Sequence, residues 1–516
     1  MGRGISLAGG VMLYAGAAAA QTPCATLGDF KPSIDAVITA EQIDASAMAP
    51  WTAPGTSLTQ FTGAATAVVP FCRVTGSLKP TPQSDIRFEL WLPPRNAWNG
   101  NFFGTASGGS AGAINYPVMI DPLTRGYAAM GHDNGHVSSG FDQSWVRSAD
   151  GRLLTEKLVD FASRAQHVAT VVGKEIAASF YNGAPKRAYY AGCSQGGHHG
   201  MMEAQRFPDD YDGIVAGAHS GDWIGVLASE AWASTQVLKD NRAGGLSPAK
   251  LTLLSKAVLK TCDAADGLED GQIADPRQCS FNPAVLQCRA GMSTGECLTS
   301  QQVAATAAIY NGPEGASGYA RGSEANWITT WNANTRLQSG SYHDFFRLVL
   351  KQDPAWDFLT LEWPRDIDEA RAKFGGIYNA VNPDLSAFKA RGGKLIMYHG
   401  WSDALVPAGT TVAAWNRMTS KMGAESLGQF ARLFMVPGMG HCAGGPIGNA
   451  DWLTALERWV ERGLPPDATP GTYTLLGSGK IGGVARTRPY CPYPKVARYR
   501  GAGDINTPES FICAAS

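Results

Sequence analysis

The chain has 516 residues, 44% of them hydrophobic, with 43 basic and 44 acidic side chains. This length can bury a sizeable core but is long for one domain, predicting either a large domain with an insertion or two domains. The balanced charge, with no clustered Lys/Arg face, excludes an electrostatic footprint for nucleic acid and points to small, neutral or weakly charged partners.

At the amino terminus, Arg3, the small and apolar run Ile5 to Gly16, and Ala17 to Ala20 before Gln21 have the layout of a signal peptide over residues 1–20, with cleavage near Ala20. Its apolar core is shorter than the roughly 20 residues a membrane span needs, and no other stretch is long and apolar enough. The mature chain is therefore expected to be secreted or periplasmic. Ten cysteines, an even set, then favour disulfides over metal thiolates. Spacing pairs Cys24 with Cys72, Cys262 with Cys279, Cys288 with Cys297 and Cys491 with Cys513, and leaves Cys193 and Cys442.

Residues 21 to about 85 read as short strands and turns, with Phe71–Thr75 and Ile86–Leu92 as strand-forming runs. A turn-rich break over Pro93–Gly100 leads to a short strand, Asn101–Phe103, and a glycine-rich loop, Gly104–Gly112. This loop contains one G-x-S-x-G match, Gly108-Gly-Ser110-Ala-Gly112, but Ala113 to Val118 gives no helix with a clear apolar face. A loop offering free backbone N–H groups to an oxyanion fits it better than a nucleophile does, with an ordinary turn as the alternative.

Tyr127–Met130 is a predicted buried strand, with Gly131–His136 as the loop at its end. From Leu158 to Tyr181 the period is helical, with apolar residues at Phe161, Ala165, Val168, Val172 and Ile176. Strand Ala188–Ala191 turns at Gly192-Cys-Ser194-Gln-Gly196, the second G-x-S-x-G match, into a helix from Gly197 to Ala204 and then strand Gly213–Ala216. The alternation of strands and helices argues for a parallel α/β sheet. Periodicity becomes irregular between Gly221 and Ser386 and resumes with strand Lys394–Tyr398, strand Phe434–Pro437, helix Trp452–Trp459 and a turn-rich tail from Thr487. The domain reading is a catalytic domain over 21–220 and 387–516, with residues 221–386 inserted as a lid.

A serine hydroxyl needs a base to take its proton and an acid to orient that base. Ser194, Asp403 just past the Lys394 strand, and His441 just past the Phe434 strand supply the order Ser, Asp, His that an α/β-hydrolase fold uses. His132, His136 and His399 compete as base, but His399 precedes the acid. Cys193 and Cys442 adjoin the proposed nucleophile and base. A Ser–His hydrogen bond brings these neighbours to roughly the 4.4–6.8 Å Cα separation that a disulfide requires. A free, reactive Cys193 and a reducible regulatory bridge are the alternatives.

Gly192-Cys-Ser-Gln-Gly196, the Asp403 segment, Gly440-His-Cys442, Gln205-Arg-Phe-Pro208, Tyr211–Gly217 and Ala497–Asn506 together resemble the tannase and feruloyl esterase family, over nearly the whole mature chain. The resemblance implies an α/β-hydrolase fold with a large inserted lid domain and a disulfide joining the neighbours of the catalytic Ser and His. It also implies a structural calcium in the lid, held by Asp263, Asp266, Asp270 and the carbonyls of Leu268 and Gln272, and no organic cofactor. Hard oxygen ligands suit that ion, and an empty acidic turn is the alternative.

The expected activity is hydrolysis of feruloyl, hydroxycinnamoyl or galloyl esters through an acyl-enzyme, with the N–H groups of Gln195 and, by family position, Gly109 as oxyanion hole. The family also includes mono(2-hydroxyethyl) terephthalate hydrolases, whose activity is the second expectation. For the substrate, Trp327, Trp331 and Arg336 offer aromatic stacking and a carboxylate clamp, as the resemblance to members acting on terephthalate monoesters implies, with lid core and a solvated Arg as the alternative. A non-catalytic, calcium-stabilised binding protein is the rival from another class.

Overall fold

A computed structural model describes residues 21–53, 66–138, 140, 142–289, 295–329, 341–442, 449–466, 475–476, 480–481, 484–485 and 488–515. The expected leader, Trp331 and Arg336 lie outside the described residues.

The centre is a nine-stranded sheet. Its strands are β1 (Ala36–Ile43), β2 (Phe71–Leu78), β3 (Ile86–Leu92), β4 (Asn101–Thr105), β5 (Ala128–His132), β6 (Arg187–Cys193), β7 (Gly213–Gly217), β8 (Lys394–Gly400) and β9 (Ala431–Val436). In space they run β1-β2-β3-β5-β4-β6-β7-β8-β9. The first four neighbours pair antiparallel, and from β5 onward every pairing is parallel.

Strands β4, β5 and β7 are buried along their whole length. Both faces of a parallel sheet are covered by its crossover helices, so these strands are apolar without alternation. Successive side chains still point to opposite faces. Phe102, Tyr190, Ile214 and Met397 pack into one core with Val172 and Ile176 of α2 (Ala165–Tyr181) and Met201 of α3 (Gln195–Arg206). Phe103, Tyr189, Val215 and Ile396 pack into the other with Met119 of α1 (Tyr116–Thr124) and Leu456 of α9 (Trp452–Arg462). Each such fully buried side chain contributes ~1.5–3 kcal/mol, so the two cores together outweigh any surface interaction in the molecule.

Between β7 and β8 the described residues add no strand to the sheet. They form helices α4 (Trp223–Arg242), α5 (Pro248–Cys262), α6 (Ser300–Asn311) and α7 (Arg365–Tyr378), and α8 (Ala408–Met422) follows β8. Trp223, Leu227, Phe345 and Phe374 close one apolar cluster against Leu158 and Phe161 of the body. Leu254, Val258, Ile309 and Trp327 close another.

Three elements differ from expectation. The stretch after the glycine-rich loop does become a helix, α1, whose Pro117 at its start and internal Pro122 mask the apolar period. The tail is not only turns, because Lys495–Tyr499 and Phe511–Ala515 pair antiparallel. Trp327 is fully buried in the inserted region, its indole N–H donating to Ser323 Oγ at 2.9 Å, which removes it as a substrate-stacking surface.

Candidate active site

Strand β6 delivers Ser194 at its carboxyl end and α3 starts one residue later. Ser194 has φ 60° and ψ −122°, a region costing on the order of 1–3 kcal/mol for a side-chain-bearing residue. Its N–H donates to Gly217 O at 3.0 Å, pinning the turn to β7. The turn closes because its flanks lack side chains. A Cβ at Gly192 would lie 2.6 Å from the Gly196 carbonyl, and one at Gly197 would lie 2.2 Å from Gly217 O. The first glycine of G-x-S-x-G, Gly192, and the Gly197 that follows the motif are thus packing requirements here, while a Cβ at Gly196 would lie 3.2 Å from Ala106 O.

Asp403 follows β8 and His441 follows β9, and His441 Nδ1 lies 2.7 Å from Asp403 Oδ2. Asp403 is fully buried, with Leu405 N–H (2.8 Å) and Val406 N–H (3.0 Å) donating to Oδ1. His399 Nε2 approaches Oδ2 at 3.1 Å, while Thr411 Oγ1 meets His399 Nδ1 at 2.7 Å. Burial pushes the Asp403 carboxyl up, but His441 and the His399 hydrogen bond outweigh it and hold the group well below the usual carboxylate range. Asp403 therefore stays an anion facing His441.

Ser194, Gln195, Gly109 and His441 line one cavity, together with Ser110, Ser220, Leu405, Val406 and a wall from α4 comprising Trp223, Val226, Leu227 and Glu230. The spacing 223, 226, 227, 230 is one helical face, a signal present in the sequence that the expected site did not include. Gln195 opens α3, where the first backbone N–H groups have no helix carbonyl to meet. Its side-chain Oε1 accepts from Trp223 Nε1 at 3.0 Å, coupling the Ser194 turn to the α4 wall.

The Gly109 loop is braced from behind. His136 Nε2 (2.9 Å) and Ser138 Oγ (2.9 Å) both reach the Ser110 carbonyl, and the Gln143 amide reaches Ser110 Oγ at 3.1 Å. Ser110, the other G-x-S-x-G serine, is fully buried and held in that network. His132 and His136 are buried with their imidazoles pushed down to about 4 by desolvation, which keeps them neutral. A larger hollow over β1–β3, lined by Arg73, Arg87, Phe88 and Asp133, contains none of Ser194, Asp403 and His441, so the narrower cavity is the candidate site.

All five expected disulfides form, and no cysteine is free. Cys193 and Cys442 have Cα atoms 5.8 Å apart across 249 residues of chain. The bridge ties the residue before Ser194 to the residue after His441.

In the acidic loop, Asp263 accepts from the N–H groups of Asp270, Gly271 and Gln272, so the chain wraps around its carboxylate. Asp266, Leu268, Asp270 and Gln272 line a common cavity, into which Arg488 also reaches, at 2.8 Å from Asp270. Burial, with Asp270 and Asp263 adding repulsion, pushes Asp266 up to about 6, and Gln272 Oε1 is buried without a partner. Like charges crowded with an unpaired oxygen fit a hard cation.

The family model for tannase and feruloyl esterase matches residues 72–514. The chain belongs to the tannase and feruloyl esterase family. It is 35% identical to mono(2-hydroxyethyl) terephthalate hydrolase of Piscinibacter sakaiensis, over 88% of this chain and 86% of that protein. It is 32% identical to feruloyl esterase C of Talaromyces stipitatus, over 86% and 85% respectively. Feruloyl esterase B of Aspergillus oryzae superposes with a TM-score of 0.84 at 28% identity, covering 95% of this chain and 100% of that one. Tannin acyl hydrolase of Aspergillus niger, with a TM-score of 0.77 and 22% identity over 96% of this chain and 95% of that one, shares the fold. The chain is accordingly a carboxylic ester hydrolase of the α/β-hydrolase fold, with feruloyl esterase and tannase-type esterase activity as its family class.

Proposed function

We propose that this protein is an exported serine esterase for aromatic carboxylic esters, feruloyl, hydroxycinnamoyl or galloyl, acting through Ser194, His441 and Asp403. The observation that carries the reading is the 2.7 Å His441–Asp403 hydrogen bond beside a strained Ser194 in one cavity. His441, oriented by Asp403, takes the Ser194 proton as Oγ attacks the ester carbonyl. The alcohol leaves with that proton, and water, deprotonated by His441, cleaves the acyl-enzyme to release the acid. The backbone N–H groups of Gln195 and Gly109 hold the oxyanion, each such donor typically being worth ~2.7–4 kcal/mol. Trp223, Val226, Leu227, Leu405 and Val406 provide an apolar slot for an aromatic ring.

Residues 221–386 act as a lid that carries this specificity wall, and the Asp263–Gln272 loop binds a structural calcium through the side chains of Asp263, Asp266 and Asp270 and the carbonyls of Leu268 and Gln272. Five disulfides favour an oxidising compartment and hence export. The relation to a terephthalate monoester hydrolase supports a second reading in which the acyl group is terephthaloyl. The test is kinetics on methyl ferulate, methyl gallate and mono(2-hydroxyethyl) terephthalate for wild type and Ser194→Ala. Turnover of the first two is expected to dominate and to fall by about 10⁴ or more in the variant. Retained turnover refutes the nucleophile, and dominance of the terephthalate ester selects the second reading.

A further inference from the structure

Glu203 sits on α3 at zero exposure, and neither of its carboxylate oxygens meets a hydrogen-bond donor. Two other groups approach it. Among the described residues, one set of three His, Cys, Asp or Glu side chains has its ligand atoms all within 4.8 Å of one another: His167, Glu203 and Asp210. The carboxylates of the Asp263–Gln272 loop do not meet that criterion.

His167 comes from α2 and Asp210 from the turn between α3 and β7. His167 Nδ1 lies 2.6 Å from Asp210 Oδ2, and its ring stacks on Phe207 at 3.9 Å. The His167 side chain is 32% exposed and that of Asp210 9%, so the cluster opens to solvent on the imidazole side only.

We propose that His167, Glu203 and Asp210 bind a divalent transition-metal ion, of which zinc is the best match. The first support is charge. Two buried carboxylates repel, and burial with Asp210 beside it pushes the Glu203 carboxyl well above its usual range. Lys174 does not resolve this. Its ammonium is bonded to the Asp210 backbone carbonyl and lies 5.4 Å over the Tyr211 ring, so its charge offsets Glu203 in part but gives the Glu203 oxygens no hydrogen bond.

The second support is hydrogen-bond accounting. A proton shared between Glu203 and Asp210 would give Glu203 one partner but cancel only one of the two negative charges. One divalent ion collects an atom from each of the three side chains and cancels both negative charges. The third is donor chemistry. One imidazole nitrogen with two carboxylate oxygens suits zinc better than calcium, which takes oxygen alone. The ion would tie α2 to the α3–β7 turn, on residues separate from the Ser194 cavity.

The test uses the calcium-saturated full-length enzyme, titrated with zinc chloride by calorimetry, with metal content measured by mass spectrometry after dialysis. Wild type is expected to bind one zinc per chain saturably and to melt at a higher temperature with it. His167→Ala, at a half-exposed position, is expected to bind on the order of 100-fold more weakly. Glu203→Gln is expected to lose the zinc response as well. Zinc binding by wild type no tighter than by His167→Ala overturns the proposal. Should Glu203→Gln fail to fold, the His167→Ala comparison still decides. A Glu203→Gln variant that is more stable than a zinc-insensitive wild type assigns the pair to a shared proton instead.

Discussion

Replacing Cys193 and Cys442 together by alanine separates two effects of one bond. In the chain-entropy description, a cross-link across 249 residues stabilises the fold by about 5.5 kcal/mol. The Cys491–Cys513 bridge, across 22 residues, gives about 3.4 kcal/mol by the same relation. Both are upper values, and their difference, about 2 kcal/mol, is the more transferable quantity. Catalysis should split them further. Cys442 adjoins His441 and itself has φ 65°, so releasing the bridge frees the imidazole from its register with Ser194. A displacement of about 1 Å in a reacting group can cost on the order of 100-fold.

Urea unfolding and methyl ferulate kinetics on Cys193→Ala/Cys442→Ala and on Cys491→Ala/Cys513→Ala form the assay. Both pairs are expected to lose stability, the first more, whereas kcat should collapse by about 100-fold in the first pair alone with KM little changed. Unchanged kcat in the first pair, or equal loss in both, would refute the reasoning.

Replacing His399 by Phe removes one donor from Asp403. A hydrogen bond to a charged group is worth about 1.5–3 kcal/mol, so kcat should drop about 10- to 100-fold with KM nearly constant. Because the Asp403 carboxyl is held below its unfolded value, its pairing stabilises the fold above about pH 4 and is lost as pH falls through the folded value. That acid-side contribution should shrink in His399→Phe, as read by urea midpoints. Asp133 behaves oppositely. Burial, against the N–H groups of Gly135 and Arg87, pushes its carboxyl up to about 8. The native state therefore keeps a proton that the unfolded chain releases near pH 4, and stability falls by up to roughly 1.4 kcal/mol per pH unit between about 4 and 8. Asp133→Asn should flatten that slope, and parallel slopes would count against it. Calcium at 100 times its Kd should add about 2.7 kcal/mol to wild type, with the gain abolished by EGTA and absent in Asp266→Asn.

The parallel half of the sheet is legible in the sequence because its strands are short apolar runs alternating with a helical period, and Ser194 because packing demands the glycines around it. The cysteine spacings name four of the bridges, and the fifth follows from Cys193 and Cys442 adjoining Ser194 and His441. What escapes are relations between distant residues. In the sequence His399 reads only as a rival base, yet it meets the same Asp403 oxygen, Oδ2, as His441. The brace from His136 and Ser138 to Ser110 joins separate loops through a carbonyl that carries no sequence signal. Helix α1 is hidden by its two prolines, and β1 by a burial pattern that is mostly open to solvent. The cavity wall from α4 carries a helical spacing, but nothing local shows which face looks inward.

The bond between Cys193 and Cys442 also changes what a broken backbone means. Everything from residue 194 to 441, including the α4 wall, is a closed covalent loop whose two ends are joined beside Ser194 and His441. A protease that cuts an exposed turn of that loop leaves a single molecule, with Ser194 and His441 still tethered through their neighbours. The esterase can thus be nicked within residues 194–441 and remain one piece, and an exposed turn there can be lengthened without Ser194 and His441 losing each other.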